Sequence, residues 1–134
     1  MFGGLRPYRL SPINRGCVNT VVFLAQSKDN EGNIEWIDKT DKKLYITAKT
    51  QPWDAVADDS DAVFKREGTI PDPVKEPGRI VFTLTESDTY KDPTIPYFCD
   101  IVETDTDGSN ANRLFIGTFN IIPGPNNAQA GGDQ

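Results

Sequence analysis

Four acidic residues, Asp54, Asp58, Asp59 and Asp61, crowd one short stretch of the chain. Clustered carboxylate oxygens suit a hard divalent cation, which makes the stretch a candidate metal loop; the plainer reading is a solvated acidic loop. A second stretch, Asp105-Thr106-Asp107-Gly108-Ser109, opens like a calcium-binding loop. Its glycine comes too early, and Ile116 stands where the closing glutamate belongs, so it reads as a turn. Paired acids for glycoside hydrolysis must face each other across a cleft. Asp100 and Glu103 are close in sequence, but the period of a strand puts them on opposite faces. Asp100 is expected instead to pair across the sheet with a lysine or arginine. Trp36, Tyr45, Trp53 and Tyr90 could stack on a sugar, yet they fall in different elements, which favours core and edge roles.

The chain contains no histidine. That removes the commonest general base, the usual Ser-His and Cys-His pairs and most zinc or iron sites, and no cofactor is expected. The two cysteines, Cys17 and Cys99, are far apart and form no CxxC pair. Both are placed in strands as buried free thiols; a disulfide would require those strands to adjoin. The formal charge of −6 is uneven. Residues 1–16 carry Arg6, Arg9 and Arg15 and no acid, a net +3, which leaves −9 for the rest of the chain. An acidic body disfavours nucleic acid and anionic membranes as partners. No apolar run approaches a membrane span, and the N-terminus lacks the pattern of a signal peptide, so the chain is expected to stay where it is made.

At 134 residues the chain is expected to form one domain. Two apolar, β-branched and aromatic runs, 97–103 and 113–121, flank the polar segment 104–112 and predict a β-hairpin with a long exposed loop. Strict alternation groups Tyr97, Cys99 and Ile101 on one face of the first arm. In the second arm it groups Arg113, Phe115, Gly117, Phe119 and Ile121. Apolar groups on both faces mark the hairpin as a central pair of strands. Further strands are predicted at 17–25, 34–37, 43–50, 62–66 and 79–84. In 43–50, Leu44, Ile46 and Ala48 face inward, and Tyr45, Thr47 and Lys49 face outward. Thr85 and Asp88 form a capping-box signature for a single helical turn. About seven short strands without a long helix predict an all-β fold, a single immunoglobulin-like β-sandwich over residues 17–122, with a small barrel as second choice. Residues 1–16 read as an extended arm and 123–134 as a flexible tail. The arm holds Phe2, Leu5, Tyr8, Leu10 and Ile13, too apolar for a free tail, and is expected to lie on a partner.

The order of these segments resembles a known family. The run is Leu44 to Lys49, Asp61 to Arg66, Gly78 to Thr85, Ser87-Asp88-Thr89, Tyr97-Phe98-Cys99-Asp100-Ile101, an Asp-Gly loop, and Gly117-Thr118-Phe119-Asn120-Ile121. It is similar to the small β-sandwich domain of tailed-bacteriophage virion proteins, in particular the N-terminal domain of upper baseplate proteins. The chain departs from the pattern by its arm and by carrying no fibre or receptor-binding region after the domain. The resemblance implies a non-enzymatic structural protein of the virion, made in the host cytoplasm. It would serve as a baseplate or tail adaptor or attachment subunit, with a head decoration or head-fibre protein as the alternative. Its partners would be other virion proteins and further copies of itself. The contact residues would be Phe2, Leu5, Arg6, Tyr8, Arg9 and Leu10 of the arm, then Asp107 and Gly108 of the loop. A carbohydrate- or surface-binding module, using exposed aromatics and the 104–112 loop, is a second reading.

Overall fold

The computed structural model of the chain describes residues 8–51 and 59–123. Strands take 49% of the described residues and helix 4%, so the fold is all-β. The strands are β1 (Tyr8–Arg9), β2 (Ile13–Asn14), β3 (Asn19–Leu24), β4 (Gln26–Lys28), β5 (Ile34–Trp36) and β6 (Lys42–Lys49). Then come β7 (Phe64–Glu67), β8 (Arg79–Leu84), the single-turn helix α1 (Glu86–Thr89), β9 (Tyr97–Asp105), β10 (Asn112–Phe119) and β11 (Ile121–Ile122). The seven predicted strands are present. The additional ones are two- and three-residue pieces, too short for any period to mark them; β4, Gln-Ser-Lys, carries no apolar residue at all.

One sheet has five strands in the order β1-β10-β9-β6-β7, and β3–β8, β4–β5 and β2–β11 form separate pairs. The predicted hairpin is β9–β10, and β9 lies at the middle of the large sheet, as its two-sided apolar pattern requires. The core lies between that sheet and β8. Leu44, Ile46 and Ala48 of β6, Tyr97, Cys99 and Ile101 of β9, and Ile80, Phe82 and Leu84 of β8 are all buried in one cluster. Tyr97 stacks on Phe119 with ring centroids 5.4 Å apart. Val21 and Phe23 of β3 pack against the cluster, and Phe23 meets the edge of Phe115 at 6.3 Å. Beyond β7 the chain crosses to β8: Gly68 N–H donates to the Leu44 carbonyl, and Thr69 bridges Val81.

Four expectations change. Residues 8–14 do not stand off the domain as a separate extended arm. β1 pairs in parallel with β10, and β2 with β11; Leu10 packs against the core and Ile13 is 5% exposed. The reason is local: β10 and β11 present a bare edge, and the apolar groups at 10 and 13 find their burial there, in their own domain. Second, β10 does not alternate strictly. Its register against β9 shifts between Arg113 and Phe115, so Arg113 stands opposite Val102 and Phe115 opposite Ile101. The bulge turns these two residues to opposite faces of the sheet. Third, the outward face of the large sheet is not simply exposed: Thr47 of β6 is buried, as is Ile116 of β10 opposite Asp100. Fourth, Cys17 lies in a bend before β3 and not in a strand; Cys99 is buried in β9, and both thiols are free.

Candidate functional site

The register of the large sheet assembles one polar face. Asp100 and Val102 of β9 stand opposite Thr47 and Tyr45 of β6, and Lys65 of β7 stands opposite Thr47. Paired residues share a face, so this face is the side of the sheet away from Ile46, Cys99 and Ile101. The bulge in β10 adds Arg113, which strict alternation had placed with the core-facing Phe119. The loop after β9 closes one end with Gly108 and Ala111, and Asp59 closes another side. The result is an open groove of about 440 Å³.

Charges of both signs line it in pairs. Arg113 Nε donates to Asp100 Oδ2 at 3.1 Å, the cross-strand pairing expected for Asp100. Burial pushes the Asp100 carboxyl above the usual carboxylate range, with the Arg113 charge acting against that rise. Lys65 Nζ donates to Asp59 Oδ2 at 2.8 Å and sits 5.2 Å from the centroid of the Tyr45 ring. The hydrogen bond from Lys65 outweighs burial and holds Asp59 below its ordinary value.

The other candidate chemistry resolves into structure. Asp59 and Asp61 are engaged by Lys49 Nζ at 3.5 and 3.1 Å, while Asp54 and Asp58 lie outside the described residues. Among the described residues no three acids, histidines or cysteines are grouped as a metal site. The Asp105–Ser109 stretch is a turn. Gly108 N–H donates to the Asp105 carbonyl, Asp107 Oδ1 accepts from the Ser109 amide and hydroxyl, and Gly108 has a φ of 87°, which favours glycine. Asp100 and Glu103 point to opposite faces, and Glu103 is buried at the core side against Lys39 Nζ at 2.7 Å. The three described aromatics of the four fall in different elements. Tyr45 lines the groove, Trp36 ends β5, Tyr90 lies 4.1 Å beneath the Arg15 guanidinium, and Trp53 is outside the described residues.

Of the expected contact residues, Phe2, Leu5 and Arg6 lie outside the described residues. Tyr8 and Arg9 form β1, Leu10 is half-buried against the core, Asp107 is exposed in the turn, and Gly108 lines the groove. Sequence reasoning missed Arg113, and one signal was available. Arg113-Leu114-Phe115-Ile116 follows a polar residue with an unbroken apolar run, which no clean alternation fits. A second, smaller groove of about 220 Å³ runs between Leu10–Ile13 and Asn19–Val22. No helix among the described residues is long and apolar enough to cross a membrane. No protein-family model and no curated protein matches the chain.

Proposed function

We propose that the chain is a non-catalytic structural subunit of a tailed-phage virion. It is a rigid β block that docks on a neighbouring virion protein or another copy through the segment that precedes β1. The observation that supports this most is the order of elements. The segments that carry the resemblance fall on β6, β7, β8, α1, β9 and β10–β11, in that sequence. The finer fold we propose is an immunoglobulin-like sandwich. Its support is the adjacency of β6, β9 and β10 with β7 outside β6, against a separate β3–β8 pair. Tyr97 adds to it: the hydroxyl donates to the Asp92 carbonyl at 2.6 Å, two residues before Cys99, in the manner of a tyrosine corner.

Since residues 8–14 pair with the domain's own strands, we assign the leading part of the docking role to Phe2, Leu5 and Arg6, ahead of the exposed Arg9 and Asp107. Symmetric repetition multiplies a weak contact of so short a segment into a stable one. The proposal is tested by quantitative mass spectrometry of purified particles from cells that make the chain. A fixed copy number relative to the other particle proteins supports it. Absence of the chain from washed particles overturns it.

A further inference from the structure

We infer that the groove on the outer face of the large sheet binds a neutral saccharide of one or two rings. The inference is independent of the proposed place in a particle, and either can fail without the other.

Size is the first argument. About 440 Å³ lies within the range of roughly 300–1,000 Å³ typical of small-ligand sites. The second is charge. The lining offers Asp59 and Asp100 against Lys65 and Arg113, which cancel, so the site has no net charge with which to select an ion. What remains is a dense set of donors and acceptors beside an apolar floor. The Asp100 carboxylate, the Arg113 guanidinium and the Thr47 hydroxyl lie next to Val102 and the Tyr45 ring. Adjacent sugar hydroxyls need both donor and acceptor groups, and the C–H face of the ring needs an aromatic or aliphatic surface.

The third argument concerns cost. The Asp100 side chain is 16% exposed, and its partner Arg113 32%. Placing a half-buried ion pair in a central strand adds little stability, because desolvation offsets the attraction. An apolar pair would serve packing as well. The pair is held toward the groove by a bulge, a device that re-aims side chains at functional places. Asp100 Oδ2 accepts from Arg113 Nε at 3.1 Å, which fixes the carboxylate beside the groove. Lys65 covers the Tyr45 ring through a flexible stem whose side chain is 46% exposed, so it can swing aside for a stacked ring.

The test is a titration of the ¹⁵N-labelled full chain, followed by backbone amide shifts. The probes are glucose, galactose, N-acetylglucosamine and rhamnose, with glucuronate as the anionic control. At least one neutral sugar should give saturable shifts at Tyr45, Thr47, Asp100 and Gly108, with a Kd on the order of millimolar. Asp100→Asn and Tyr45→Ala should each weaken it by about tenfold, the former through the lost charged acceptor. If either variant loses its dispersed spectrum, Thr47→Val takes its place with the same direction of effect. The inference is overturned if no neutral sugar saturates these amides, if only glucuronate does, or if folded variants bind as tightly as the parent.

Discussion

Asp88 joins three parts of the chain with one carboxylate. It takes a two-pronged contact from Arg66 of β7, Nε at 2.7 Å and Nη2 at 2.9 Å, and accepts from the Thr85 amide at 2.9 Å. Its own amide donates to Thr85 Oγ1, which completes the capping box. Burial pushes the carboxyl up, but Arg66 and Thr85 together hold it below the usual carboxylate range. A carboxyl with a lowered folded value adds stability above its unfolded value and loses it as pH falls through the folded one. Asp88→Asn should therefore cost about 1–3 kcal/mol in urea unfolding at neutral pH. The deficit should shrink as the pH is taken below about 4; a deficit that stays constant with pH would contradict the ion-pair account. Cys99 makes a second residue-scale prediction. Burial, then the neighbouring Asp100 charge, pushes its thiol up to about 12. A disulfide exchange reagent at mildly alkaline pH should leave Cys99 unmodified in the native chain and reach it in denaturant. At this scale the capping box was legible because Thr85 and Asp88 are local in sequence. Arg66 was not, since it joins Asp88 only through the tertiary fold. The same holds for Lys39, whose contact with Glu103 spans the chain from a turn to the central strand.

At the scale of elements, the long strands were legible and the short ones were not. β6 and β8 carry the period that burial imposes on a half-covered strand: Leu44, Ile46 and Ala48 in one, Ile80, Phe82 and Leu84 in the other. β9 was legible as a central strand from its two-sided apolar character. The face of Arg113 was not, because a bulge moves the alternation by one residue and no residue type fixes its place. Nor was the pairing of β1 and β2, since a two-residue strand is defined by its neighbour and not by its own composition. Their role predicts how the chain responds to truncation. Removing residues 1–7 should leave the melting temperature within a few degrees of the parent. Removing residues 1–16 strips Leu10 and the 5%-exposed Ile13 from the core, along with the hydrogen bonds Leu10 N–H to Thr118 O and Ile13 N–H to Asn120 O. That loss should exceed about 3 kcal/mol and lower the melting temperature by about 10 °C or more. Equal melting temperatures for the two truncations would show that β1 and β2 do not support the domain.

For the whole molecule, an acidic chain of formal charge −6 with all three arginines of its first sixteen residues unopposed there has a polarised distribution. The tertiary fold draws part of that basic segment in: Arg15 Nε donates to the Lys91 carbonyl and lies over Tyr90, and Arg9 belongs to the sheet. The proposed docking role is assigned to Phe2, Leu5 and Arg6, which lie outside the described residues. On the opposite sheet, β3 presents Val22 and Leu24 to solvent at 43% and 49% exposure, and Val18 precedes it at 61%. The subunit proposed above would work by holding a surface in a fixed orientation, and that role is measured as incorporation and not as turnover. The most direct measurement is therefore competition between the full chain and the chain lacking residues 1–7, co-produced in cells that assemble the particle and counted by mass spectrometry in purified particles. The full chain is expected in the particles, with the truncated chain folded, soluble and depleted at least about tenfold. Equal incorporation of the two would contradict the docking role of the first seven residues.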